Sequence, residues 1–212
     1  MGIARGKFIT FEGGEAVGKS TQTKRLAASI EAMGLQCILT REPGGVPAAE
    51  EIRNIILQGT SDKWDPLSEA LLLNAARRRH VLELIEPALA RGDWVICDRF
   101  YDSTMVYQGY VKGLAHDVIA ELHRIALGGM QPDLTIMLDV PGEVTLSRVA
   151  KRKAEKDRIE AEHAKIYEQL RAAFLDIARL NPARCVVIDA LPGKDEVATS
   201  IFAAAKRHFG WH

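Results

Sequence analysis

A chain of 212 residues is long enough for one well-cored domain and too short for two ordinary α/β domains. Lysine plus arginine equals aspartate plus glutamate at 28 each, which excludes a global field for nucleic acid or an anionic membrane, so any basic patch must be local. Cys37, Cys97 and Cys185 show no CxxC or Cys/His spacing, and no apolar run approaches the roughly eighteen residues of a membrane span. The expectation is a soluble cytoplasmic protein with reduced core thiols.

Five short apolar runs, at 7–11, 36–40, 94–97, 133–138 and 184–188, alternate with segments of helical period. Near-continuous apolar strands need cover on both faces and their crossovers are right-handed, so the predicted fold class is α/β: three α/β/α layers around a five-stranded parallel sheet. Ligands of such sheets sit at the C-terminal strand ends. No repeat or low-complexity linker interrupts the pattern, and residues 1–212 read as a single domain whose largest excursion is a charged stretch at about 150–162.

The first run, Lys7-Phe8-Ile9-Thr10-Phe11, leads through Glu12 into Gly13-Gly14-Glu15-Ala16-Val17-Gly18-Lys19-Ser20-Thr21, and a helical pattern in Leu26, Ile30 and Met33 follows. Glycine, four residues, then Gly-Lys-Ser is the spacing of a phosphate-binding loop, here in its strand–loop–helix setting. Gly13 and Gly18 permit backbone geometry that turns successive N–H groups toward phosphate oxygens at a helix N-terminus. Lys19 then reaches the β and γ phosphates of a nucleotide. Ser20 offers a hydroxyl to the magnesium ion that bridges them.

After the second run, Arg41-Glu42-Pro43-Gly44-Gly45 is a turn-forming cluster at a sheet end. The next helix carries Ile52, Ile55 and Ile56 as its apolar stripe. Asp65-Pro66 opens a long helix, with aspartate as N-cap and proline at the first position. Its inner stripe is predicted as Leu67, Leu71, Ala75, Leu82, Ile85 and Leu89, with a kink near Ile85 ahead of Pro87. Midway, Arg77, Arg78, Arg79 and His80 form a basic cluster in which Arg77, one turn from Leu73, can enter the crevice while its neighbours point outward.

Trp94-Val95-Ile96-Cys97 ends in Asp98-Arg99, which places a carboxylate to organise magnesium beside Ser20 and an arginine to hold an acidic substrate. Asp139-Val140-Pro141-Gly142 reads as a turn into a helix, since no Asn-Lys-x-Asp guanine signature occurs in the chain. Lys151, Arg152, Lys153, Lys156 and Arg158 are interleaved with Glu155, Asp157, Glu160 and Glu162. Such a run is either a solvated helix face or a lid whose cations close over a transferring phosphate. Ile159, Ile166, Leu170, Phe174, Ile177 and Leu180 mark a long amphipathic helix that Asn181-Pro182 stops. The last helix turns Val197, Ile201 and Ala205 to the sheet, and Gly210-Trp211-His212 reads as a loose tail. The six histidines form no cluster, and each reads as surface or core.

The order and spacing of phosphate loop, Arg41-Glu42-Pro43-Gly44-Gly45, Asp98-Arg99 with Ser103, Thr104 and Tyr107-Gln108-Gly109, and Asp157-Arg158-Ile159-Glu160 resemble the bacterial-type thymidylate kinase family over nearly the whole chain. The resemblance implies a phosphate-loop nucleoside-monophosphate kinase fold with a helical lid. It further implies a magnesium-dependent transfer of the ATP γ-phosphoryl group to dTMP, giving dTDP for dTTP synthesis, in a homodimer with no nucleic-acid or membrane partner. By likeness, Arg77 reads the thymine edge with help from Ser103 or Thr104, Tyr107 and Gln108 line base and sugar, and Glu15 lies near the sugar 3′-hydroxyl. Arg41 and Arg99 surround the acceptor phosphate. Leu73 stands where the family stacks an aromatic ring, and Ala16 where some relatives place a catalytic arginine, so Arg152 and Arg158 of the lid, with Lys153 behind them, are expected to supply the cation. The alternatives are a related kinase with another acceptor and a non-catalytic nucleotide switch.

Overall fold

The computed structural model describes residues 4–60, 63–153 and 160–211. Strands β1 (Phe8–Glu12), β2 (Cys37–Arg41), β3 (Trp94–Asp98), β4 (Leu134–Asp139) and β5 (Cys185–Asp189) form one sheet in the order β2-β3-β1-β4-β5, with every pair parallel. The predicted α/β/α layering follows from the alternation of side chains along these strands. Ile9, Phe11, Ile96, Ile136 and Leu138 face helices α1 (Lys19–Ala32) and, later in the chain, α9 (Lys194–Phe209). Phe8, Val95 and Cys97 face the opposite layer, where they meet Val81, Ile85, Leu89 and Phe100.

Each strand runs one residue past the apolar run that marks it, and in all five the added residue is charged: Glu12, Arg41, Asp98, Asp139 and Asp189. Hydropathy ends a strand where apolar residues end, whereas the ladder of backbone hydrogen bonds continues to the sheet edge. The Glu42 N–H still donates to Asp98 O at 3.0 Å, and the Arg99 N–H to Phe11 O at 2.9 Å. The carboxyl edge of the sheet is therefore a row of charges around the mouth of the phosphate loop.

Helix α2 spans Pro47–Leu57 and α3 spans Pro66–His80. Asp65 caps α3 as expected, accepting from the Leu67 and Ser68 N–H groups at 3.0 Å each. The predicted kink takes the form of a π-helical turn, Val81–Ile85, that runs without a break into α4 (Glu86–Ala90) around Pro87. The predicted inner stripe is partly wrong. Leu67, Leu71 and Leu82 are 42%, 49% and 44% exposed and Ala75 is exposed, while the buried face is Ala70, Asn74, Ala76, Arg77, His80, Val81 and Ile85. A helix that buries a satisfied polar network looks, on hydropathy alone, as though that face were its solvent side. Likewise Ile55 of α2 is exposed, and the core contact comes from Ala49 with Ile52 packed beside it.

Beyond β3 come α5 (Tyr101–Thr104), a π-helical turn at Met105–Val111 and α6 (His116–Leu127); α7 (Gly142–Lys153) and α8 (Glu160–Leu180) flank residues 154–159. Residues 154–159, among them Lys156, Arg158 and Ile159, lie outside the described residues, as do the side chains of Lys151, Arg152, Lys153 and residues 160–164. Leu170, Phe174 and Ile177 are buried as predicted, but Ile166 and Leu180 are exposed. The tail corrects a second expectation, because Trp211 packs 5.2 Å from the Trp94 ring and 5.5 Å from that of Phe209. The three cysteines are free thiols, and burial pushes Cys37 up to about 12 and Cys185 up to about 11.

Candidate active site

The phosphate loop joins β1 to α1 through two glycines that no other residue could replace without strain. Gly13 has φ 132°, and a Cβ there would lie 2.6 Å from the Leu138 carbonyl oxygen; Gly18 has φ 104° and sits at the N-cap of α1. Ala16 also adopts the left-handed region, at φ 53°. Lys19 folds back over the loop and donates to Gly13 O at 3.0 Å and Gly14 O at 2.5 Å. Burial, and next the nearby Arg99 charge, push its ammonium down to about 7 against the pull of Asp98, Glu12 and Glu15. Ser20 Oγ donates to Asp98 Oδ2 at 2.8 Å, so the hydroxyl and carboxylate expected to share a magnesium ion are brought together from 78 residues apart. This all-oxygen pair suits a hard cation that takes its remaining ligands from phosphate and water. An open cavity of about 320 Å³ lies over them, lined by Glu15, Ala16, Lys19, Ser20, Asp98, Arg99 and, from α7, Val149.

Arg99 forms the opposite wall. Its φ of 70° lies in the left-handed region, a strained backbone for a side-chain-bearing residue and a common mark of functional positions. Its Nη1 donates to Gly13 O at 3.2 Å and to Ser103 Oγ at 3.1 Å, and the guanidinium lies 5.2 Å from the Tyr107 ring centre. Lys19 and Arg99 therefore point at one carbonyl oxygen. Behind Arg99, the fully buried Glu12 accepts the Phe100 N–H at 2.7 Å, the Ser103 N–H at 3.3 Å and the Ser103 hydroxyl at 2.6 Å. Burial raises the Glu12 carboxyl to about 7, with Asp102 adding to the effect and the Ser103 and Phe100 hydrogen bonds and Arg99 opposing it. Asp102 is in turn held by both Nη atoms of Arg184, at 2.7 and 2.8 Å. The short helix carrying Ser103 and Thr104 is thus tethered on both sides.

A second cluster is centred on Arg77 of α3. Arg77, 3% exposed, donates from Nε to Glu42 Oε2 at 2.7 Å, from Nη2 to Thr104 Oγ1 at 3.0 Å and Phe100 O at 3.3 Å, and from Nη1 to Asn74 Oδ1 at 3.4 Å. Gln108 donates to Glu69 Oε2 at 2.7 Å. Its Oε1, like the Tyr107 hydroxyl, is buried without a partner among the described residues. Leu73 is half-buried.

The structure thus gathers Glu15, Ala16, Lys19, Ser20, Asp98 and Arg99 around the cavity, with Gly13, Ser103 and Tyr107 in contact with Arg99, Arg77 and Thr104 in a second network, and Gln108 bonded to Glu69. Two predicted residues sit differently. Thr21 is exposed on α1, and Arg41 is turned to α2, where it donates to Glu50 at 2.7 and 3.2 Å. Sequence reasoning gave no role to Glu12, Glu42 or His80, although a charge closing an apolar strand, the signal that exposes Asp98, also marks Glu12.

The strand order, the loop on the central strand, the hydroxyl–carboxylate pair and the arginine facing it define a phosphate-loop nucleoside-monophosphate kinase. A sequence model described as thymidylate kinase matches residues 11–201. A thymidylate kinase of Bradyrhizobium sp. (strain BTAi1) is 49% identical over 97% of this chain and 92% of its own, and that of Caulobacter vibrioides is 47% identical over 98% and 100%. The crystal structure of thymidylate kinase from Ehrlichia chaffeensis superposes with a TM-score of 0.78 at 33% identity, covering 95% of this chain and 99% of that one. The chain belongs to the thymidylate kinase family.

Proposed function

We propose that this chain transfers the γ-phosphoryl group of ATP to dTMP with magnesium, giving dTDP. The observation that carries the reading is the convergence of Lys19, on the donor side, and Arg99, on the acceptor side, on Gly13 O at 3.0 and 3.2 Å. Two buried cations this close repel each other, so the arrangement suits a site that receives two anionic phosphates.

Lys19 leaves its loop carbonyls to meet the β and γ oxygens, and the loop N–H groups hold the chain of phosphates in line. Magnesium, when bound by Ser20 and Asp98, neutralises charge on those oxygens. Arg99 aligns the acceptor phosphate, Glu12 and Ser103 hold Arg99, and Arg77 reads the base beside Thr104. Gln108 Oε1 and the Tyr107 hydroxyl, buried and unpartnered, are suited to base and sugar. Arg152 and Arg158 supply cations from the lid as charge spreads over the transferring group, and Arg41 adds a further charge when it leaves Glu50.

The protein acts as a homodimer in the cytoplasm, a compartment that its free cysteines suit. The exposed Leu67 and Leu71 on α3, which packs between α2 and α6, together with Leu82 on the π-helical turn that follows, support an interface there, with Ile55 of α2 and Ile125 of α6 also exposed. No helix among the described residues is long and apolar enough to cross a membrane. The test is an acceptor panel of dTMP, dUMP, dCMP, dGMP and thymidine with ATP and magnesium. Preferred turnover of any acceptor but dTMP overturns the specific reading, and partner-dependent hydrolysis without acceptor phosphorylation would favour a switch instead.

A further inference from the structure

Glu42 and His80 are buried charged or titratable groups without a part in the transfer itself. Glu42 Oε2 accepts Arg77 Nε at 2.7 Å, and Glu42 Oε1 meets His80 Nδ1 at 3.0 Å. The other ring nitrogen of His80 lies 2.7 Å from Thr40 Oγ1, so a neutral ring donating from Nδ1 and accepting the threonine hydroxyl at Nε2 satisfies all three groups. The turn after β2 is shaped around this ring, since a Cβ on Gly45 would lie 2.5 Å from His80 Nε2 and 2.6 Å from Thr40 Oγ1.

A guanidinium has five N–H donors. Glu42 takes the one on Nε, Thr104 and Phe100 take the two on Nη2, and Asn74 takes one on Nη1 at a long 3.4 Å. Asn74 is itself anchored by its amide to Ala70 O at 2.8 Å, which orients its oxygen toward Arg77. Among the described residues, one Nη1 donor is left over. The pairing with Glu42 also decides what that donor suits. Arg77 is neutralised by a buried carboxylate in direct contact, whereas the hydrogen bonds of Arg99 among the described residues go to a carbonyl and a hydroxyl, with the Glu12 and Asp98 charges near it but not bonded to it. Arg99 suits a phosphate, and Arg77 a neutral acceptor such as a base carbonyl.

We propose that Glu42, braced by His80, is a positioning residue that aims the remaining Arg77 donor at the C4 carbonyl of a pyrimidine, and thereby sets the preference for 4-keto over 4-amino bases. The inference rests on the reading of Arg77 as the base-facing arginine. Thymine and uracil present an acceptor at C4 and cytosine an amino donor, so a fixed N–H rejects cytosine by leaving two donors face to face. Glutamine at position 42 would offer one acceptor where two donors arrive, and its amide N–H groups would push either Arg77 or His80 away.

The test is the ratio of kcat/KM for dTMP and dCMP in wild type, Glu42→Gln, Arg77→Ala and the double variant. The expected result is a ratio lowered at least about tenfold by Glu42→Gln, through KM for dTMP, with KM for ATP within about twofold of wild type. The double variant should discriminate no worse than Arg77→Ala alone, since both act through one group. A collapsed ratio in Arg77→Ala with an unchanged ratio in Glu42→Gln overturns the role of Glu42 while the base reading stands. An unchanged ratio in Arg77→Ala removes the base reading and the inference with it. Should Glu42→Gln fail to fold, as judged by circular dichroism and a cooperative melt, His80→Leu keeps the ion pair and removes the brace, since leucine has no donor for Glu42 Oε1. That variant should lower the ratio by a smaller factor, and an unchanged ratio overturns the proposal.

Discussion

The two halves of the site are built by different physics. The half proposed for the phosphoryl donor is a contiguous loop whose backbone takes left-handed geometry at Gly13, Ala16 and Gly18, with Lys19 and Ser20 following directly in the chain. The half proposed for the acceptor has no such loop; Arg99, Ser103 and Thr104 from the segment after β3 meet Arg77 from α3, with the buried Glu12 bonded to Ser103 and the buried Glu42 to Arg77. Backbone recognition tolerates any polyphosphate of the right shape, whereas side chains locked by carboxylates can discriminate among acceptors. A kinase that accepts ATP and selects one monophosphate needs both.

Removing the central charge of the donor half should have the largest effect. Lys19→Ala is expected to leave the fold intact and lower kcat/KM by a factor equivalent to about 3 kcal/mol or more, measured by coupled assay. Activity within about tenfold of wild type would contradict its role. Asp98→Asn should cause a smaller loss that excess magnesium partly restores, because Ser20 and the phosphates remain as ligands. A magnesium titration identical to wild type would reduce Asp98 to a hydrogen-bond acceptor for Ser20.

For the proposed lid, Arg152→Ala and Arg158→Ala should lower kcat while ATP affinity, measured by calorimetry, barely moves, as expected for contacts made only in the transition state. Equal loss of rate and affinity would make them ground-state ligands. On the acceptor side, Leu73→Phe should tighten dTMP by up to about tenfold with ATP affinity unchanged, since an aromatic ring adds stacking to the area burial that leucine already provides. Weaker dTMP binding would mean that the base does not lie over α3.

The smallest effect is a pH dependence. Burial lifts Glu12 from the usual carboxylate range to about 7, so the folded state holds that proton more tightly than the unfolded chain. Its contribution to stability is full below about pH 4.5 and is lost as the pH rises through about 7. Glu12→Gln lacks this slope, and the melting temperature of wild type relative to the variant should fall between about pH 5 and about pH 8. A constant difference would mean that Glu12 stays ionised throughout.

The same contrast explains what was legible in the sequence. The five strands, the phosphate loop and the Ser20–Asp98 pairing were readable because each rests on a local pattern: an apolar run, a glycine spacing, a carboxylate ending a strand. The face of α3 was not, because Asn74, Arg77 and His80 are polar by composition and become core only through partners 3 to 40 residues away. Hydropathy assigns such residues to water, and it assigned Leu67, Leu71 and Leu82 to the core for the same reason. The orientation of Arg41 toward Glu50 and the docking of Trp211 likewise depend on tertiary neighbours that no spacing encodes.

That docking gives the protein a built-in optical reporter. Two of its three tryptophans, Trp94 and Trp211, lie with ring centres 5.2 Å apart and planes tilted by 49°, beside Phe209 and Phe202. Indoles so close and so oriented couple their transitions, which should appear as an exciton couplet in the far-ultraviolet circular dichroism. The third, Trp64, stands alone just ahead of α3 with Lys63 over its ring at 5.0 Å. Fluorescence from Trp64 and dichroism from the Trp94–Trp211 pair would therefore follow two separate sites in one sample. A variant truncated after Phe209 should lose the couplet while keeping the Trp64 emission, so release of residues 210–212 can be separated from events near the start of α3.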